Sequence, residues 1–140
     1  MWNPWAEAGQ RWRHIQIVWW HELPEGVRGL VRDGTIWLCR TLTQAERRST
    51  LTHELVHLER GIPHHVYREM EERAVDVETA RRLIPLSALI DALRESRDPA
   101  DLAEALWTDE HTVTVRLEAL DPLETAEIEH ALEDEWLWIP

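Results

Sequence analysis

Apolar positions along the chain follow two different spacings, and the change falls about one third of the way along. Residues 15–20 and Thr35–Cys39 are short apolar runs of the composition that favours strands. Asp33-Gly34 before the second run is typical of a tight hairpin turn, which makes Gly29–Arg32 the partner strand. Further on, apolar residues recur every three or four positions. This spacing predicts helices over residues 44–60, 68–84, 86–95, 100–107, 112–120 and 123–136, after a short first helix over residues 5–12.

Length and composition indicate a globular protein of one domain. The 140 residues are 44% hydrophobic and 30% charged, and no apolar run is long enough to cross a membrane. The one cysteine, Cys39, lies in an apolar strand, where a buried thiol is expected, and it cannot form an internal disulfide. Since no signal peptide is recognisable either, the sequence predicts a cytoplasmic protein with no membrane association.

Acidic residues are concentrated in the second half of the chain. Residues 71–140 contain 19 acidic residues and six arginines, so this half accounts for the negative net charge of −12. Residues 102–120 have the pattern of a helix-turn-helix, but residues 98–140 contain one arginine and 13 acidic residues. Such a charge repels phosphate backbones. The sequence therefore predicts no direct nucleic-acid binding, and it favours a packing unit or a docking surface for a basic partner.

The string His53-Glu54-Leu55-Val56-His57 is an HExxH motif. Residues four apart lie on one face of an α-helix, so both imidazoles can bind the same metal ion. Glu54 lies to one side of them, where its carboxylate can reach a water molecule held by the ion. The motif predicts a Zn²⁺ site in which His53 and His57 are ligands and Glu54 is the general base.

A catalytic zinc ion needs a third protein ligand. The metzincin pattern would place it six residues after the second motif histidine, where this chain has Pro63, and His64 follows one position too late. The alternative is a glutamate on the next helix, with Glu69, Glu71, Glu72 and Glu78 available. Helical phase favours Glu72, because it shares a face with mostly uncharged residues that a packed helix would bury. Asp76, one turn later, is either a surface acid or the acceptor for the free ring nitrogen of a zinc-bound histidine.

A second electrophile usually stabilises the charge that develops on the scissile carbonyl oxygen. Tyr67, His64 and His65 lie between the two ligand helices and are the candidates for this role, beside the alternative of ordinary loop polarity. His111 is a further possibility, although its sequence context is that of a solvated helix.

Three stretches, in this order, resemble the ImmA/IrrE metallopeptidases: residues 33–38, residues 46–57 with the HExxH motif, and residues 72–85, which begin at Glu72 and end at Pro85. The similarity covers about residues 12–120. The resemblance implies an intracellular zinc endopeptidase of narrow specificity, of a kind found in phages, mobile elements and bacteria. It also implies the partner, because such enzymes typically cleave a helix-turn-helix repressor and thereby relieve repression.

The predicted fold class is α+β. A small antiparallel sheet at the N-terminus would pack on a zincin-like HExxH helix, followed by an all-helical C-terminal part. Residues 1–97 would form the metallopeptidase core, and residues 98–140 would form an acidic helical extension packed on it within a single compact domain.

Two other functions are compatible with these residues. The first is a non-catalytic anti-repressor or antitoxin-like protein that sequesters its partner and holds a structural zinc ion. An intact Glu54 argues against it, because a structural site has no need of a base there. The second is a stress sensor that activates transcription through proteolysis, and the lack of a recognisable sensing domain argues against that.

Overall fold

The structure is a computed structural model, and it describes residues 1–61 and 65–133. Along the chain the elements are α1 (Pro4–Arg11), β1 (Gln16–His21), β2 (Gly29–Arg32), β3 (Thr35–Cys39), α2 (Gln44–Arg60), a 3₁₀ turn (His65–Tyr67), α3 (Arg68–Leu83), α4 (Leu86–Glu95), α5 (Pro99–Leu106), α6 (Glu110–Glu118) and α7 (Pro122–Ala131). Every predicted helix is present, so the α+β class is confirmed. Helix α6 begins and ends two residues earlier than expected, and positions 134–136 of the last predicted helix lie outside the described residues.

The N-terminal sheet is mixed, so the prediction of an antiparallel sheet was wrong. Strands β2 and β3 form the expected antiparallel hairpin, and Asp33 and Gly34 in its turn both have positive φ, at 51° and 72°. Strand β1, however, pairs in parallel with β3, which gives the order β1-β3-β2. The hairpin is encoded by its turn, whereas the partner of β1 is decided by packing. Strand β3 is the most buried of the three, so its second edge requires hydrogen bonds from another strand.

The sheet packs against one face of α2. Leu51 and Leu55 of this helix are fully buried and share a cluster with Ile36 and Leu38 of β3. Cys39 belongs to the same cluster, so the expectation of a buried thiol is confirmed. Because this face of α2 is used for the core, the face that carries the HExxH histidines is left for other contacts.

A second apolar cluster joins the end of α3 to the four helices that follow, and it is formed by Leu83, Ile84, Leu89, Ala92, Leu93, Leu102, Ala103, Leu106, Val113, Ile128 and Leu132. The C-terminal helices also contact α2 directly. The buried Arg48 donates hydrogen bonds to the carbonyl oxygens of Trp107 at 3.0 Å and Trp2 at 3.1 Å. The backbone amide of Asp109, the N-cap of α6, also donates to Ser49 Oγ at 3.3 Å, which places the start of α6 beside α2. The division at residue 97 stays a prediction.

The described helices are all too short or too polar to span a lipid bilayer.

Candidate metal centre

Helix α2 presents His53 and His57 on one face, one turn apart. It begins at a capping box in which Thr43 and Glu46 bond each other's backbone amides, and it ends at Gly61, whose φ is 79°. The two imidazole rings lie edge to face with centroids 4.7 Å apart, and their Nε2 atoms are 3.1 Å apart. Both rings are about a quarter exposed. The helix therefore directs two nitrogen donors at one point that an ion can reach from solvent.

Glu72 in the second turn of α3 completes a group of three side chains that can each offer a ligand atom to a metal ion. Its carboxylate lies 3.0 Å from His57 Nε2 through Oε1 and 3.6 Å from His53 Nε2 through Oε2. A tetrahedral ion with bonds of about 2.1 Å separates its ligand atoms by about 3.4 Å. The observed separations bracket this value, and two imidazoles with one carboxylate are a donor set that zinc favours. The residues present therefore fit a zinc ion with one coordination position left open.

Two of the three competing glutamates, Glu71 and Glu78, are engaged elsewhere. Glu71 forms an ion pair with Arg60, and the hydrogen bond from this guanidinium lowers the pKa of the Glu71 carboxyl. Glu78 accepts a hydrogen bond of 2.9 Å from Arg82 on the next turn. Helical phase on α3 is as expected, because Val75, Thr79 and Leu83 are buried. The phase argument that selected Glu72 is consistent with this packing.

Asp76 holds the ring of His53 in a defined orientation. Its Oδ1 lies 3.2 Å from His53 Nδ1, and this hydrogen bond lowers the pKa of the Asp76 carboxyl. We infer that Nδ1 carries the proton, since Asp76 is an acceptor. The lone pair of His53 Nε2 is then directed at the position between the three donors.

Burial and neighbouring charges shift the pKa values of this group in different directions. Burial raises the pKa of Glu54, as expected for a carboxylate removed from water. Burial also lowers the pKa of His57, and the charge of His53 adds to this effect. For His53 burial acts in the same direction, but the hydrogen bond to Asp76 and nearby carboxylates outweigh it and raise the pKa.

An open cleft of about 380 Å³ lies beside Glu54. Residues 26–29, which lead into β2, line it together with residues of α2, α3, the N-cap of α6 and α6 itself. Gly29 brings β2 unusually close to α2, because a Cβ at this position would lie 2.7 Å from Thr50 Cγ2. Arg28 reaches across and pairs with Asp109 at 3.0 Å.

The residues expected to stabilise a developing negative charge differ in their position relative to the cleft. Tyr67 and His65 are exposed in the 3₁₀ turn before α3, and neither lines the cleft. His64 lies outside the described residues. His111, whose sequence context is that of a solvated helix, does line the cleft. The sequence did contain an indication of this position. His111 lies one helical turn before Val115, so it shares the face of α6 on which Val115 is buried.

Comparisons of the chain with known protein families, with characterised proteins and with solved structures give no match. The resemblance to the ImmA/IrrE metallopeptidases stays an expectation from the sequence motifs.

Proposed function

We propose that the protein is a zinc-dependent endopeptidase of the HExxH…E type. The single observation that carries the proposal is the arrangement of His53, His57 and Glu72, whose facing ligand atoms lie 3.0 to 3.6 Å apart, with the partly buried Glu54 nearby in an open cleft. We also propose that the sheet packs on the HExxH helix as in zincins, with the start of β2 bordering the cleft beside α2.

In amide hydrolysis, each of the chain's own residues at the site has a separate role. When bound, zinc would supply Lewis-acid chemistry that lowers the pKa of water and polarises a carbonyl group. Glu54 accepts the proton of the attacking water and delivers it to the leaving amine. Its raised pKa suits both steps, because a carboxyl group that binds a proton more readily can take it and pass it on. Asp76 keeps His53 in the orientation that coordination requires.

The proposed substrate is a protein partner, and a helix-turn-helix repressor is the candidate that the family resemblance supplies. The acidic second half of the chain favours a basic partner, which DNA-binding repressors typically are. Cleavage of such a repressor in the bacterial cytoplasm would relieve repression.

A non-catalytic binding protein with a structural zinc ion is the second candidate. Structural zinc sites are closed by four protein ligands. Within the described residues, the group around His57 offers three donors, and Glu54 is held close by without being one of them. This arrangement favours the enzyme.

Zinc content measured on protein purified without chelators tests the ligand set. We expect one zinc ion per chain in the wild type and little or none in Glu72→Ala. The matched control is Glu71→Ala, one position away and paired with Arg60, which should retain the ion. Absence of metal from the wild type, or equal retention by both variants, would contradict the proposed site.

Cleavage of a proteome-derived peptide library tests the activity. We expect the zinc-loaded wild type to cut a limited set of peptides and Glu54→Gln to cut them at least about 100-fold more slowly with its zinc retained. A zinc-loaded wild type that cuts no peptide would instead support the binding protein. Glu54→Gln with full activity would remove the general-base assignment.

A further inference from the structure

Asp76 uses its two carboxylate oxygens for two different histidines. Oδ1 faces Nδ1 of His53 at 3.2 Å, and Oδ2 faces Nε2 of His111 at 3.3 Å. His111 comes from the first turn of α6, which begins at the N-cap Asp109. A helix distant in sequence from the HExxH motif thus contributes an imidazole that one carboxylate connects to the candidate metal centre.

The ring of His111 faces the cleft that also contains Glu54. The side chain of His111 is 64% exposed, whereas that of Asp76 is 24% exposed, so Asp76 anchors the ring from the protein side and leaves the rest of it accessible. With both nitrogens protonated, the ring donates one hydrogen bond to Asp76 through Nε2. The hydrogen on Nδ1 is then free to bind an oxygen atom in the cleft.

We propose that His111 is a catalytic residue of this peptidase and that it donates a hydrogen bond to the scissile carbonyl oxygen as negative charge develops there. The inference rests on the proposed function. His111 forms and breaks no covalent bond: the water oxygen adds to the carbonyl carbon, the carbon–nitrogen bond breaks, and Glu54 moves the proton to the amine. Asp76 acts as a positioning residue for His111, because its Oδ2 lies 3.3 Å from Nε2 of the ring.

His111 fits this role better than the residues between the ligand helices. Tyr67 and His65 do not line the cleft, whereas His111 does and has a carboxylate that orients it. Loss of one such donor typically lowers kcat by about 100- to 1000-fold. Because the interaction strengthens only as charge develops, the loss should fall on kcat and leave KM nearly unchanged.

Kinetics of His111→Ala on the library peptide that the wild type cuts fastest provide the first test. We expect kcat about 100-fold lower, KM within about threefold and one zinc ion retained. Added imidazole should restore part of the activity of His111→Ala, which a merely structural role would not allow. His130→Ala is the matched control, since this histidine is exposed on α7, and it should behave as the wild type.

Binding of inorganic phosphate to the cobalt-loaded protein provides a readout besides activity. Phosphate is a tetrahedral oxyanion, and its binding can be followed through the visible absorption of cobalt. We expect it to bind about tenfold more weakly to His111→Ala than to the wild type or to His130→Ala.

The outcomes separate the two proposals. A kcat in His111→Ala within threefold of the wild type, or unchanged phosphate binding, would overturn the role of His111 and leave the peptidase intact. Zinc loss in His111→Ala would overturn it too, because the residue would then act on the metal through Asp76. A wild type that holds no zinc or cuts no peptide would overturn both proposals.

Discussion

Two polar clusters in this molecule differ in how their carboxylates are compensated. In the first, the buried Arg116 donates to the carbonyl oxygen of Ile84 at 2.8 Å and to Glu124 at 2.6 Å, and Arg81 donates to the other oxygen of Glu124 at 2.8 Å. In the second, the donor atoms of the candidate metal centre face one another. Glu72 pairs with no arginine in the described parts of the chain, 1–61 and 65–133.

The difference separates charge that stabilises the fold from charge that is arranged for a ligand. Glu124 is compensated by guanidinium groups of the chain itself, and the hydrogen bond from Arg116 is the main reason that its pKa falls to about 2. The metal centre instead gathers lone pairs whose mutual repulsion only a proton or an external cation can relieve. We therefore expect the first cluster to control stability and the second to control metal binding.

Removal of Arg116 should have the largest effect on stability. Arg116→Ala leaves Glu124 without its most buried partner, and we expect the free energy of unfolding to fall by about 3 to 5 kcal/mol in urea titrations. Arg81→Ala is the control, because Arg81 pairs with the same carboxylate but its side chain is 36% exposed, and it should cost about 1 kcal/mol or less. Equal losses in the two variants would show that burial does not distinguish these pairs.

Addition of zinc should stabilise the wild type by about 2.7 kcal/mol when the free ion is at 100 times its dissociation constant. Glu72→Ala should abolish this gain without lowering the stability of the metal-free protein. Among the described residues, no arginine pairs with the carboxylate that the substitution removes. Thermal unfolding with and without zinc measures both quantities. Marked destabilisation of metal-free Glu72→Ala would mean that the donors support the fold after all.

Replacement of Asp76 by Asn should weaken zinc binding by about 10- to 100-fold, because the acceptor that orients His53 is then neutral. Competition with a chromophoric chelator measures the affinity. Glu78→Gln on the same helix is the control, since Glu78 pairs with Arg82 rather than with a histidine, and its affinity should match that of the wild type. Equal affinity in all three proteins would show that Asp76 does not orient the ligand.

Mild acid should weaken the first cluster by a smaller amount. The pKa of Glu124 falls from 4.5 to about 2 on folding, so its stabilisation is complete above pH 4.5 and is lost as the pH falls towards 2. Between pH 6 and pH 3.5 this group should account for a loss of about 1.4 kcal/mol. Glu124→Gln should lose correspondingly less over the same interval in urea titrations. Identical pH profiles would contradict the pKa assigned to Glu124.

Much of the fold could be predicted because its signals are local. The helix start at Thr43 and the turn at Asp33-Gly34 are encoded by neighbouring residues, and both are present. The pairing of β1 could not be predicted in this way, because nothing in residues 15–20 specifies which edge of β3 they bind or in which direction. Strand pairing across an intervening hairpin depends on packing of the whole sheet.

In the candidate site, too, the features set by single helices could be predicted and the features set by packing between helices could not. The HExxH spacing and the helical phase of Glu72 were enough to predict which donors come together, because both follow from the geometry of single helices. His111 lies on a helix that the sequence suggested was solvated, and its contact with Asp76 depends on how α6 packs against α3. The sequence pattern of α6 reveals its buried face but not which element covers it.

The contact of β2 with α2 at Gly29 has a genetic consequence. Glycine is the one residue that adds no Cβ, and a Cβ here would lie 2.7 Å from Thr50 on the HExxH helix. Every missense change in this codon therefore inserts at least one carbon into a gap that has no room for it, so that either the strand or Thr50 must shift. A single codon outside the HExxH motif therefore helps to determine the width of the cleft.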